Sequence, residues 1–387
     1  MRATLLTVLL LSSNACSQRA PVWVGSWAAS QQIPEPNNAL PADELRNATL
    51  RQIIHLSIGG SAIRVHLSNA FGTAPLHLMS VHVAHSTANT DKAFTFSGRP
   101  DVVIPAGAEY ISDPLDYPVS AGADLTISIP YNDPPEQQTG HPGSRATSYI
   151  VHGDMVKKID HWYQLSAIDV ATTSGFSIVT LGDSITDGHG ATTNGNDRWP
   201  DILARRLQSA GMNVGVLNQG IGGNHLLTDG LGPNALARFD RDVLAQTAVR
   251  YVLILEGIND LGGLARTMEA SPAEHADLVQ RIIAAYQQFV ARAHVHNLFV
   301  IGCTILPDTR SNYYHPGSAD EADRQSVNTW IRTPGHFDDV IDFDHTMRDP
   351  AQPNRLRPEF DSGDHLHPNP AGYAAMANSI PLTLFKK

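Results

Sequence analysis

The sequence predicts two domains in series. The first is a β-sandwich or jelly roll, and the second is a three-layer α/β/α domain on a five-stranded parallel sheet. Two rhythms in the chain predict this. From about residue 22 to 150, short runs alternating apolar and polar residues are separated by Gly, Pro, Asn and Asp, with no long helical period. From residue 176 onward, short apolar runs alternate with stretches at helical spacing, as in βαβ units with right-handed crossovers. Length agrees, since 387 residues suit two domains better than one. The expected division is a leader at 1–20, a sandwich at 21–168 and the α/β domain at 172–387.

At the N-terminus Arg2 precedes an apolar run over 5–11 and then Ser13-Asn14-Ala15-Cys16. A charged residue, a short apolar core and small residues before a cut resemble a secretory signal. The run is far below the roughly 20 apolar residues that span a bilayer. Cys16 at the first mature position also resembles a lipoprotein signal, although Ser13 stands where leucine is usual. Cleavage after Ala15 is the alternative. Both imply export, to the periplasm, the medium or a lipid anchor at the envelope.

In the β region, runs at 50–58 and 62–68 flank Gly59-Gly60, which predicts a hairpin. Further strands are expected at 76–84, 101–104 and 124–130. Histidines 55, 66, 77, 82 and 85 lack ligand spacing and read as sheet-surface residues. Residues 153–174, ending in Ala171-Thr172-Thr173-Ser174-Gly175, read as a polar joint. Beyond it, strands are expected at 176–181, 213–217, 251–255, 298–305 and 340–343. Helices are expected at 199–210, 235–246, 272–296, 320–331 and from 370 to about 385.

Composition narrows the function. Hydrophobic residues make up 42% and charged ones 17%, a globular balance, and the net charge is −11 with no basic cluster. That argues against nucleic acid or an anionic membrane as a partner. Besides Cys16 the only cysteine is Cys303, within an apolar run, so neither a disulfide framework nor a cysteine zinc site can form. No cofactor and no metal are implied.

The chemistry gathers where the predicted parallel strands end, at which open α/β sheets bind ligands. The first run closes on Gly182-Asp183-Ser184 and delivers a hydroxyl to the sheet edge. A serine hydroxyl is a weak nucleophile, so it needs a base, the base needs an orienting group, and acyl transfer needs oxyanion donors. After the second strand, Gly223 could offer a backbone N–H, or simply serve a strand-to-helix turn. After the third, Asn259 could offer its amide, or cap a helix. Near the C-terminus Asp364 and His367 are three apart, close enough in a turn for the carboxylate to hold one imidazole nitrogen. His365 could be the base instead. The His365–His367 pair could also bind a metal, but no neighbouring Cys, His or Glu completes such a set.

Gly182-Asp183-Ser184-Ile185-Thr186, Asn218-x-Gly220-x-x-Gly223, Gly257-x-Asn259-Asp260 and Asp364-x-x-His367-Pro368 occur in that order. Together they resemble the SGNH hydrolase superfamily, the GDSL esterases, from about residue 176 to the C-terminus. The resemblance implies a flavodoxin-like α/β/α domain with Ser184 as nucleophile. Gly223 and Asn259 would complete an oxyanion hole beside the Ser184 N–H. His367, which precedes the proline, would be general base and then acid, with Asp364 orienting it. Asp183 and Asp260 would brace the loops. Trp23-Val24-Gly25-Ser26-Trp27 and Asn69-Ala70-Phe71-Gly72 are similar to the β-rich leader of some bacterial members. No Gly-x-Ser-x-Gly elbow surrounds Ser184.

The expected reaction is ester hydrolysis through an acyl-enzyme. Loops at 189–197, 224–234 and 307–317 are small and polar, with Tyr313, Tyr314 and His315 in the last, and no long apolar lid is evident. Such loops suit sugars better than acyl chains, so the expected substrate is a short acyl ester, acetyl above all, on a carbohydrate. The alternatives are a broad-specificity esterase whose β domain only packs, and a lysophospholipase or thioesterase with an apolar channel. A glycan-binding surface protein with an unreactive Ser184 is the non-catalytic alternative.

Overall fold

The computed structural model describes residues 20–86, 91–264, 266 and 269–386, so the leader with Cys16 lies outside the described residues. The N-terminal half is built on two large antiparallel sheets, with two small pairs beside them, Gly140–His141 with Trp162–Tyr163 and Leu76–Leu78 with Val102–Ile104. One large sheet runs Val22–Ala28, Leu165–Thr172, Ala62–Ser68, Glu109–Ile111 in spatial order. The other runs Met155–Ile159, Ser148–His152, Ala48–His55, Asp124–Tyr131, His82–His85, Lys92–Ala93. Alternation points Ile63, Val65 and Leu67 of one sheet and Leu125, Ile127 and Ile129 of the other into a single apolar core. Each such side chain is fully buried and contributes about 1.5–3 kcal/mol.

The hairpin expected around Gly59-Gly60 does not form. Ala48–His55 and Ala62–Ser68 lie in opposite sheets, and the glycines sit where the chain crosses between them. A Cβ at Gly59 would lie 2.5 Å from the Val119 carbonyl oxygen, and one at Gly60 2.5 Å from that of Ala171. These glycines therefore serve close backbone approach rather than a turn. The strand expected at 76–84 is broken into Leu76–Leu78 and His82–His85.

Residues 153–174 are not a polar joint. They contain Met155–Ile159 and Leu165–Thr172, and the latter pairs on both sides within its sheet. Its polar member Asp169 is buried but matched, 2.7 Å from Arg64 Nε and 2.9 Å from His66 Nε2. His66 accordingly departs from the surface reading. Burial would lower its pKa, but hydrogen bonds to Asp169 and Glu109 raise it to about 9. Its charge favours folding fully below about pH 6.5, and that benefit is lost as pH rises through about 9. The other four histidines are half-buried or exposed.

The C-terminal half is built on five parallel strands, Phe176–Gly182, Val214–Gly220, Val249–Leu255, Phe299–Cys303 and Asp339–Ile341. Their spatial order is second, first, third, fourth, fifth, with every neighbouring pair parallel. The order reverses direction beside the first strand, which opens a crevice at its carboxyl end. Helices Trp199–Ser209 and Pro370–Ser379 pack together, as do Pro272–Val295 and Ser318–Arg332, and these pairs flank the sheet. Ser271 and Glu274 form a capping box that starts the helix at Pro272. The helix expected at 235–246 begins as Ala235–Phe239 and continues as a π-helical turn, Asp240–Leu244. The last helix stops at Ser379 because Pro381 cannot donate to continue it, and a short 3-10 segment, Leu382–Lys386, follows.

The sandwich sits against the first two parallel strands. A Cβ at Gly215 would lie 1.9 Å from the Gly25 carbonyl oxygen, so only glycine allows the two backbones to touch. Ser177 Oγ donates to that same oxygen at 3.2 Å.

Candidate active site

The first parallel strand is buried through Ile178, Val179 and Leu181 and ends at a forced glycine. A Cβ at Gly182 would fall 2.1 Å from Thr186 Oγ1. Asp183 then caps a four-residue helix, Ser184–Asp187, by accepting the Ile185 N–H at 2.9 Å. Gly188, at φ +102°, turns the chain away. The result is a serine held at a strand tip, 8% exposed, facing a cavity of about 460 Å³.

Ser184 Oγ lies 2.8 Å from His367 Nε2, and His367 Nδ1 lies 2.6 Å from Asp364 Oδ2. The other carboxylate oxygen, Asp364 Oδ1, accepts the N–H groups of Leu366 at 3.0 Å and His367 at 2.9 Å. Burial would raise the Asp364 carboxyl, but the imidazole and those N–H groups hold it well below the usual carboxylate range. It is therefore an anion able to stabilise imidazolium.

The sequence left His365 and a His365–His367 metal pair open. His365 instead bonds Asp361 Oδ2 through Nδ1 at 2.5 Å, so the two histidines are held by different carboxylates. A histidine not singled out as a site residue takes the neighbouring place. The ring of His189 lies 4.1 Å from that of His367, and its Nε2 is 3.7 Å from Asp364 Oδ2. Burial, the charge of His367 and Arg145 lower its pKa to about 4, so it packs as a neutral ring at neutral pH. Among the described residues His189, Asp364 and His367 are the one cluster with the spacing of a metal site. Both nitrogens of His367 are already engaged, by Ser184 and Asp364, so within this cluster His367 has no free ligand atom.

Gly223 and Asn259 line the same cavity as Ser184 and His367. Gly223 is at φ +69°, a left-handed conformation that favours glycine. Asn259 Nδ2 donates to the Asn224 carbonyl at 2.6 Å, and its Oδ1 accepts from Tyr314 Oη at 2.6 Å. Those two bonds fix which way the amide faces and leave its second N–H for the cavity. Burial, reinforced by the charge of Asp183, pushes the Tyr314 hydroxyl up to about 12, so it remains a donor. Asp260 accepts the N–H groups of Leu226 at 2.8 Å and Leu227 at 3.0 Å and so holds the loop that follows Gly223.

Beneath these groups lies a residue the sequence reading missed. Arg238 is 1% exposed and distributes its guanidinium over the tips of the first three parallel strands. It reaches the Gly182 carbonyl at 3.0 Å, the Gln219 carbonyl at 2.7 Å, Asn224 Oδ1 at 2.9 Å, Glu256 Oε1 at 3.2 Å and Asp242 Oδ2 at 3.0 Å. Burial raises Asp183, Glu256 and Asp260 above their ordinary values, and their mutual repulsion adds to Asp183 and Glu256, with Arg238 opposing both shifts. A signal was present, because Arg238 shares the i, i+3, i+4, i+7 face of Ala235, Phe239 and Asp242 that the helix buries. Replacing Arg238 with Met strands buried acceptors and carboxyls and is expected to cost about 3–5 kcal/mol of stability. Equilibrium urea unfolding measures this, and a loss below about 1 kcal/mol would contradict it.

The sandwich also reaches this site. His141 Nε2 lies 3.0 Å from Asp187 Oδ1, directly under the nucleophile turn, and Arg145 Nη2 lies 3.3 Å from His189 Nδ1.

The model of the family described as GDSL-like Lipase/Acylhydrolase matches residues 178–380. No curated protein matches the chain. Among solved structures it is similar to an acetyl xylan esterase from Geobacillus stearothermophilus, at 22% identity over 53% of this chain and 93% of that one, with a TM-score of 0.39. It is also similar to a psychrotrophic esterase from Pseudoalteromonas sp., at 20% identity over 54% and 97%, with a TM-score of 0.40. A lipase/acylhydrolase from Enterococcus faecalis is similar at 21% identity over 53% and 92%, with a TM-score of 0.37. The family match spans more than half of the sequence and contains the serine, the oxyanion candidates and the histidine, so the chain belongs to the GDSL-like lipase/acylhydrolase family and is a carboxylic ester hydrolase.

Proposed function

We propose that the protein removes short acyl groups, acetyl above all, from carbohydrate esters, with Ser184 as nucleophile and His367 and Asp364 as its base and orienting acid. The observation that carries the catalytic part is the unbroken chain Ser184 Oγ–His367 Nε2–His367 Nδ1–Asp364 Oδ2 at 2.8 and 2.6 Å. Ser184 Oγ attacks the ester carbonyl carbon as its proton passes to His367 Nε2. The resulting oxyanion is held by Ser184 N–H, Gly223 N–H and the free N–H of Asn259. Collapse of that intermediate expels the alcohol, which takes the proton back from His367. Water then attacks the acyl-enzyme by the same route, releasing the acid and restoring Ser184.

The substrate part rests on the cavity lining. His189, His225, Tyr313, Tyr314 and Arg266 bring rings and polar groups to it, and Leu231 and Leu366 are its aliphatic side chains. His225 also lines the cavity, and among the described residues its buried Nδ1 has no protein partner. Tyr313 stands edge-on to the His367 ring at 5.6 Å, where a sugar ring could stack.

Two measurements test this reading. Asn259→Ala should lower kcat by about 10²–10³, because it deletes a donor used most strongly in the transition state. Full activity in that variant would remove Asn259 from the oxyanion hole. Release of acetate from acetylated xylo-oligosaccharides should greatly exceed release of octanoate from simple octanoyl esters. Equal rates on acetyl and octanoyl esters, with none on acetylated glycans, would favour a broad-specificity esterase.

A further inference from the structure

The loop that carries the histidine and aspartate also forms the wall of a second cavity. Leu366 and His367 face the active-site cavity, whereas Asp361 and His365 face a separate one of about 260 Å³. Arg310 and Arg355 line that second cavity together with Asp349 and Gln352. Thr309 N–H donates to the Asn354 carbonyl at 3.1 Å, which keeps the segments bearing the two arginines together.

The charge arrangement is unusual. The two carboxylates at the cavity make their hydrogen bonds to their own loops and none to the arginines. Asp361 accepts the N–H groups of Gly363 at 2.8 Å and His365 at 3.0 Å, and the His365 ring at 2.5 Å. Asp349 Oδ1 accepts the Ala351 N–H at 2.8 Å. Among the described residues neither guanidinium forms an ion pair or a side-chain hydrogen bond, and Arg355 Nε is buried without any partner. A buried N–H left unmade is costly, and two guanidinium groups at one cavity offer the planar donor forks that carboxylates and phosphates match. Other buried or half-buried arginines of the same domain are paired. Arg238, Arg324 and Arg332 are each locked to carboxylates.

We propose that this cavity is an oxyanion subsite, in which Arg310 and Arg355 hold a carboxylate of the substrate away from the ester being cleaved. Combined with the carbohydrate reading, on which the identity of the carrier rests, the ligand is a uronic-acid residue of an acylated acidic glycan. A phosphate presents the same chemistry and is distinguished below. The loop at 361–367 then couples the anion's seat to the placement of His367, since one side of it lines each cavity.

Calorimetric titration of the full chain with sodium glucuronate, inorganic phosphate and glucose, at constant ionic strength, tests the site. Glucuronate should bind and glucose should not. Arg355→Ala and Arg310→Ala should each weaken glucuronate by about tenfold or more. Arg310 is exposed, so its substitution preserves the test if Arg355→Ala fails to fold. Tighter binding of phosphate than of glucuronate would overturn the uronate assignment and leave a phosphate-bearing substrate. Absence of binding by both anions, equal binding of glucose, or unchanged affinity in both variants would overturn the subsite. A chain that binds glucuronate but deacetylates no glycan would keep the subsite and lose the proposed carbohydrate substrate. One that deacetylates neutral glycans and binds no anion would lose the subsite alone.

Discussion

Ser184→Ala is expected to lower kcat by about 10⁵–10⁶ on every ester the protein hydrolyses. The substitution deletes the one oxygen placed to form the acyl-enzyme and leaves the Ser184 N–H, the Gly223 N–H and the Asn259 amide in position. What remains is His367-assisted attack by water with those donors still available, which accounts for a residual rate above the uncatalysed one. Stability should change little. The Ser184 side chain has a single hydrogen-bond partner, His367, and the cap that forms its helix belongs to Asp183. Steady-state kinetics beside a melting curve separates the two effects. A loss below tenfold with an unchanged melting temperature would mean that another group attacks the ester.

Asp364→Asn is expected to lower kcat by about 10⁴. The reason lies in which oxygen does what. Asp364 Oδ1 accepts two backbone N–H groups, so an amide at this position must place its carbonyl oxygen there. Its NH₂ then occupies the site of Oδ2 and faces His367 Nδ1, 2.6 Å away in the native chain. That donor forces Nδ1 to accept, which puts the ring proton on Nε2, the atom that should take the proton of Ser184. The variant also has a pH signature. The native carboxyl is held below its ordinary value, so its contribution to stability is present above the unfolded pKa of about 4 and lost as pH falls through the folded value. The stability gap between native chain and variant should therefore narrow on acidification. A gap that widens toward low pH would contradict the assignment.

Much of the site could be read from the sequence because it is built at strand tips. Buried parallel strands are written as apolar runs, and the residue that follows each run is delivered to the same sheet edge whatever its distance along the chain. Ser184, Gly223 and Asn259 were legible for that reason. His367 needed more, since His365 has the same chemistry two residues earlier. The proline after His367 singled it out through the family resemblance, and in the structure what separates the two is reach, since His367 Nε2 lies 2.8 Å from Ser184 Oγ whereas His365 faces another cavity. Arg238 and Glu256 were missed because a charged residue is ordinarily assigned to solvent, and only the folded chain shows that one guanidinium serves several strand tips. The same bias hid the strand Leu165–Thr172, whose buried Asp169 is matched by Arg64 and His66 from the adjoining strand. Gly59-Gly60 misled in the opposite sense. Two glycines between alternating runs suit a tight turn, and nothing local reveals that the backbones of Val119 and Ala171 will press against them.

The most direct test of the account is covalent. Incubation with a fluorophosphonate followed by intact-mass analysis and peptide mapping should show one adduct per chain, on Ser184, formed at a rate that falls sharply in His367→Ala. An adduct on any other residue, or ester hydrolysis that continues undiminished once Ser184 is fully labelled, would contradict it.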